Sequence, residues 1–270
     1  MIKKITVVAS MLTLILTTAA QPASVFGAPQ KISHGYAIPS DAKQIADNLY
    51  DLGTAKDPKT GKEVQGYAFV YRNEPVKPGN SVSAKETVCY GFIARGAKWR
   101  GAPEDWVTNP ANDSGLSSSF VLNTEAGGIA KWETAALADI LGNGSITSTD
   151  LSAGANTLND ANEVYFDGIS NSSTIAVTIV WGIFRGPVDQ REIVEWDQIY
   201  NTAYQWSSSG ESGKMDFDNI ATHELGHSFG MGDLYNSSCS PQTMYGYAGL
   251  GETNKQTLES GDIVGINVLY

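Results

Sequence analysis

His223-Glu224-Leu225-Gly226-His227-Ser228-Phe229-Gly230-Met231-Gly232-Asp233 is the stretch whose reading decides what kind of domain this chain must build. Only three histidines occur in 270 residues, and two of them stand here, four positions apart. On an α-helix that spacing puts both imidazoles on one face, one turn apart. Glu224 follows the first histidine and points near the same place. The pattern is H-E-x-x-H: two metal ligands and a carboxylate that can act as general base on a metal-bound water.

Two imidazoles do not complete a hydrolytic zinc site, which usually takes three protein ligands and leaves the fourth position to water. The remaining histidine, His34, is far upstream and reads as an ordinary surface residue. Asp233 lies six residues after His227, with Gly230 and Gly232 between. Glycine adopts left-handed backbone without steric cost, so it can end the helix and swing the chain back toward the metal. The expected zinc site is therefore His223, His227 and Asp233, with Glu224 as the base. An anionic third ligand lowers the charge of the centre and makes the bound water slightly less acidic than a third histidine would. The bland alternative is a chance match on a polar helix. Scarce histidines, the glycine turn and the trailing aspartate weigh against it.

The N-terminus reads as a secretory leader: Lys3 and Lys4, an apolar run from Ile5 to Ala20, then small residues through Gly27 and Ala28. The run is short for a membrane span of about 20 residues, although an uncleaved anchor is the alternative. The expected division is a signal peptide at 1–28, an N-terminal extension or propeptide at 29–88, and a catalytic domain at 89–270. The formal charge is −11, and losing Lys3 and Lys4 with the leader takes it to −13. An acidic surface argues against nucleic acid or an anionic membrane as partner. In a secreted chain the two cysteines, Cys89 and Cys239, pair by default as one disulfide. A sharper alternative is a free Cys89 thiolate that ligates the metal and keeps the protein latent. Four N-x-S sequons begin at Asn112, Asn143, Asn171 and Asn236.

Val64–Tyr71 reads as a strand and 41–52 as a short helix. Tyr90–Ile93 and Phe120–Leu122 read as short strands. Ile129, Trp132, Ala136 and Ile140 fall at helical spacing, with Gly142-Asn143-Gly144 as a stop. Val164–Phe166, the β-branched run Thr174–Trp181 and Ile193–Tyr200 are strands. The zinc helix starts near Asp216 or Asp218, either of which could cap it. A last helix runs from about Leu258 to Leu269. Strands and helices alternate ahead of the zinc helix, which suggests a mixed α+β domain with its cleft beside that helix.

His223–Gly230 followed by Met244-Tyr245 resembles the metzincin zinc endopeptidases, and within them the matrixins. Asp262–Tyr270 resembles the end of the matrixin catalytic domain. The resemblance covers about residues 90–270 and is strongest over 216–270. It implies an α+β zincin fold: a twisted, mostly parallel sheet with one antiparallel edge strand, the active-site helix and a C-terminal helix. It also implies that Met244 forms a turn beneath the metal, and that Thr174–Trp181 leads into the sheet edge that receives an extended substrate. Matrixins normally place histidine where this chain has Asp233; snapalysin carries Asp there. No clear match to the matrixin latency segment surrounds Cys89. Calcium is a second candidate ion, because matrixins often bind it and Asp160, Glu163 and Asp167 lie close together; no loop has EF-hand spacing.

The function expected from motif and resemblance together is a secreted zinc-dependent endopeptidase acting on protein or peptide substrates, with no stable membrane association. The runner-up is a catalytically silent, zinc-stabilised extracellular binding module. A third reading is a surface structural protein with an accidental motif.

Overall fold

The computed structural model describes residues 35–73, 88–152 and 156–270. The leader at 1–28 and His34 lie outside the described residues, as do 74–87 within the expected extension. In chain order the elements are β1 (Lys43–Ala46), β2 (Leu49–Lys56), β3 (Glu63–Arg72), β4 (Glu104–Asn109), α1 (Ser118–Ala136), β5 (Leu141–Ile146), β6 (Asn162–Asp167), β7 (Thr174–Ile183), β8 (Glu192–Asn201), the short pair β9 (Trp206–Ser207) and β10 (Met215–Asp216), α2 (Phe217–Ser228) and α3 (Ser260–Leu269).

Eight strands form one sheet in the order β1-β2-β3-β7-β8-β6-β4-β5. Strands β8, β6, β4 and β5 run parallel to one another, and β7 lies antiparallel to β8. The α+β class and the parallel half are as expected. The antiparallel strand β7 is not an edge, however. Its outer side is taken by β3, antiparallel from Gln65↔Gly182 to Arg72↔Thr174, and β2 and β1 continue the sheet beyond it.

Alternation sets which residues look toward the helices. On β3, Tyr67, Phe69 and Tyr71 join the core shared with α1 and α2, whereas Val64, Ala68 and Val70 face a second cluster with Tyr36 and Leu151. On β7, Ala176 and Val180 face the helices, and Val177, Ile179 and Trp181 face away. Burial on both faces explains why Thr174–Trp181 is nearly continuous in apolar character.

Helix α2 starts at Asp216, whose side chain accepts from Asn219 N at 2.9 Å, so the expected cap is the earlier of the two candidates. Gln256 Nε2 and Gly210 N bond the same carboxylate. Nearly every residue of α2 is buried, between β7 and β8 on one side and α1 on the other. A helix wrapped on all sides needs no polar face, and its polar residues must then find partners inside the protein. Trp132 Nε1 of α1 donates to Thr222 O at 2.9 Å.

Four local expectations are corrected. Tyr90–Ile93 is not a strand; within it only Phe92 makes an isolated antiparallel bridge, to Met231. The stretch 41–52 is not helical but forms the β1–β2 hairpin. Asn48 takes left-handed backbone (φ 56) at the turn, which asparagine tolerates, and β3 supplies the pairing partner. Phe120–Leu122 lies inside α1, because Ser117 caps a helix there by accepting from Phe120 N. Gly142-Asn143-Gly144 is not a stop but the middle of β5, where Gly144 lets the strand lie against the Trp106 ring. Among the described residues, no helix is long and apolar enough to cross a membrane.

Candidate metal centre

Helix α2 presents His223, Glu224 and His227 from one turn of its C-terminal half. Gly230, just past its end, sits at φ 101, and a Cβ there would also come within 2.7 Å of Ala97 O. Gly232 is not left-handed; its N–H bonds Gly91 O at 3.0 Å, and its backbone lies close against Phe92. Between them these two positions turn the chain back over the helix. Asp233 Oδ1 then comes 3.2 Å from His223 Nε2 and 3.5 Å from His227 Nε2. Ligand atoms of these three residues lie within 4.8 Å of one another, and among the described residues this is the one such group of His, Cys, Asp and Glu.

The other ring nitrogens fix the tautomers. His223 Nδ1 lies 2.7 Å from Thr243 O and His227 Nδ1 lies 3.0 Å from Met231 O. A carbonyl only accepts, so each Nδ1 carries the hydrogen and each Nε2 turns a lone pair to the centre. There it meets a carboxylate oxygen, which is also an acceptor. With both rings neutral the contact at 3.2 Å is two lone pairs face to face, which a proton on a ring or a shared cation relieves. His223 Nε2, Asp233 Oδ1 and Glu224 Oε1 are all buried without a hydrogen-bond partner. Orphaned acceptors of this kind are costly, and a divalent cation shared by two imidazoles and a carboxylate would satisfy the donor set.

Electrostatics divide the two carboxylates. Burial pushes Glu224 up to about 7. Burial also acts to raise Asp233, but positive charge on the facing His227 and His223 rings, when they are protonated, holds its carboxyl well below the usual range. Asp233 thus stays anionic, and Glu224 stands where it can exchange a proton near neutrality. Thr178 on β7 donates its hydroxyl to Glu224 Oε2, which leaves Oε1 free.

Beneath the helix, Met244 is fully buried, and Gly226 is the position that lets its sulfur approach. The Met244 turn is held from α3: Asp262 accepts from Thr243 N at 2.7 Å and Met244 N at 3.2 Å. Because Thr243 O also anchors His223, α3 acts on the metal centre through one residue. Cys89 and Cys239 are joined as a disulfide with Cα atoms 5.3 Å apart, which sets aside the free Cys89 thiolate. The calcium candidates do not converge. Asp160 pairs with Lys59 at 2.6 Å, Glu163 Oε2 accepts from Asn159, and Asp167 bonds its own neighbour Gly168.

Sequence patterning missed several contributors. Thr178 was only one residue of a strand. Tyr71 stacks on His223 with ring centroids 3.7 Å apart and planes 1° from parallel, and Phe69 stacks on His227 at 4.1 Å. Tyr235 places its hydroxyl 2.9 Å from Asp233 Oδ2. The alternation of Tyr67, Phe69 and Tyr71 was visible as a strand face, but nothing local said what that face would cover.

No curated protein matches the chain. Residues 156–270 match the family model described as matrixin, a family of zinc metalloproteases. The matched stretch runs from the approach to β6 through α3 and holds His223, Glu224, His227, Asp233 and Met244. Over that stretch the chain is similar to the matrixins, and its mixed α+β sheet is consistent with a matrixin-like metzincin domain.

Proposed function

We propose that the protein is a secreted endopeptidase in which His223, His227 and Asp233 hold a zinc ion and Glu224 is the general base. The observation that supports this reading is the convergence of three ligand atoms: His223 Nε2 and Asp233 Oδ1, both buried without a hydrogen-bond partner, with His227 Nε2 3.5 Å from the same oxygen. Zinc held there would lower the pKa of a bound water to about 7 and polarise the scissile carbonyl. The chain's own residues supply the rest. Glu224 Oε1 takes the proton of the attacking water and delivers it to the departing amine nitrogen. Thr178 holds the other carboxylate oxygen, so the base keeps one orientation through both transfers. Thr243 and Met231 carbonyls keep both imidazoles in the ligating tautomer. The apolar leader and the disulfide support secretion.

The test is zinc content and casein hydrolysis of the purified protein, with and without a chelator. Glu224→Gln should keep one zinc per chain and lose hydrolysis by at least about a hundredfold. Asp233→Ala should lose zinc at submicromolar free metal. Full activity in the first variant, or full zinc occupancy with activity in the second, would remove the role assigned to that residue. A silent zinc-stabilised module is the second reading. It draws on one observation, that Tyr71 and Phe69 cover the imidazoles, and a zinc-loaded chain inert under every condition would favour it.

A further inference from the structure

A centre that hydrolyses peptides has to admit one, yet here Glu224 and both imidazoles are essentially inaccessible to solvent. The cover is β3. Its Phe69 and Tyr71 rings lie flat on His227 and His223. Phe69 sits opposite Thr178, the residue that holds Glu224. Beyond β7, the end of β3 is also bonded on its other side: Arg72 bridges in parallel to Tyr247, and Ala248 N donates to Arg72 O at 3.4 Å. Tyr247 follows Met244 by three residues. At this end β3 therefore runs between a sheet strand and the loop that floors the metal centre, with main-chain bonds to both. An extended peptide recognised by strand addition is held in this way, through backbone bonds with alternate side chains set into the protein.

The covering piece is fastened at a second point. Tyr235 Oη lies 2.9 Å from Asp233 Oδ2 and 2.9 Å from Asp47 O, in the turn between β1 and β2. Arg72 Nε donates to Asn48 Oδ1 of the same turn at 2.6 Å. All of β1, β2 and β3 precede the stretch that matches the family model. The half of the sheet built by β4 to β8 keeps all of its own pairings without them.

We infer that residues 43–72 are an internal pseudosubstrate: β3 occupies the seat of an extended peptide substrate against β7 and holds the peptidase latent. The inference rests on the proposed function and adds its regulation. It needs no cysteine thiol, consistent with Cys89 being tied to Cys239. It also describes the seat. A substrate would lie antiparallel to β7, with side chains two residues apart reaching the metal ligands, as Phe69 and Tyr71 do.

The test uses the full chain loaded with zinc, carrying a site-specific protease sequence inserted between Asn73 and Val88. Hydrolysis of a fluorogenic peptide library is compared before and after cutting, and in an uncut Phe69→Ala/Tyr71→Ala variant. Cutting should raise kcat/KM roughly tenfold or more, because activity scales with the fraction of open centres. A synthetic peptide spanning Glu63–Asn73 should then inhibit the cut protein by raising KM with kcat unchanged. The double variant should show activity uncut; if it fails to fold, the cut wild-type chain still decides. Equal activity before and after cutting, or no inhibition by the peptide, overturns the latency and leaves the peptidase reading standing. A cut chain that keeps its zinc, releases the N-terminal piece and hydrolyses nothing overturns both.

Discussion

Glu125 offers a prediction whose size can be worked from the structure. It lies in the middle of α1, fully buried, with Oε1 2.9 Å from Tyr200 Oη. The same phenol oxygen is 2.9 Å from Gln198 Oε1, and Gln198 Nε2 donates to Ser228 Oγ at 3.2 Å. A phenol has one hydrogen. If Tyr200 gives it to Gln198, the bond to Glu125 needs its hydrogen from Glu125, so the carboxyl must be protonated. Burial pushes its pKa from the ordinary 4.5 up to about 8. The sign follows from linkage. The folded state holds a proton that the unfolded state releases, so the stabilisation is complete below pH 4.5 and is lost as pH rises toward 8. Between 4.5 and 7 the loss amounts to about 3 kcal/mol, at about 1.4 kcal/mol per pH unit. Glu125→Gln keeps the shape and supplies an N–H to Tyr200 without titrating. Its stability should match wild type within about 1 kcal/mol at pH 4.5 and exceed it by about 3 kcal/mol at pH 7, roughly 6–12 °C in Tm for a domain of this size. Other buried acids, such as Glu195, titrate in both proteins and cancel in the difference. Urea or thermal melts at pH 4.5, 6, 7 and 8 measure it. A difference that is flat with pH, or that grows in acid, would show Glu125 ionised in the folded protein and would refute the hydrogen-bond direction argued here.

Two further outcomes are expected. Gly226→Ala places a methyl 2.2 Å from Met244 Sδ and 2.8 Å from Trp132 Cζ2. Overpacking of about 1–3 kcal/mol should outweigh the roughly 1 kcal/mol gain in helix propensity, so thermal melts should show a net loss; a more stable variant would mean that Met244 is free to move aside. Replacing Cys89 and Cys239 together by alanine opens a link across 150 residues and should lower stability by several kcal/mol, up to about 5 on the chain-entropy account. An unchanged denaturation midpoint would show that the link constrains nothing.

The grouping of His223, His227 and Asp233 was legible because their spacing is local. His223, Glu224 and His227 share one helix turn, and Gly230 and Asp233 follow within ten residues of His223, so spacing alone brings them close. Met244 came from a resemblance and not from spacing, since nothing local ties a buried methionine to a site 20 residues away. Strands β6, β7 and β8 were readable because burial on both faces makes their composition apolar and β-branched. Strands β4 and β5 were not. Residues 104–109 carry no clear period and Gly142-Asn143-Gly144 reads as a helix stop; both stretches are strands because parallel neighbours and the Trp106 ring receive them.

The misreading of 41–52 has the same cause and the largest consequence. A short polar stretch chose a hairpin over a helix because β3 was there to pair with, and β3 in turn owes its place to β7. Sheet order is a property of pairs distant in sequence, and no periodicity within one strand states which strand will lie beside it. Seen from the sequence, β7 was the strand to leave open to a peptide; seen in the fold, its open side is filled by the chain itself. The difference lies in the 102 residues that separate Tyr71 from Thr174 along the chain, although Arg72 is the register partner of Thr174. Those same pairings place two aromatic rings on the two imidazoles that the motif identified, so the feature least readable in the sequence controls access to the feature most readable in it.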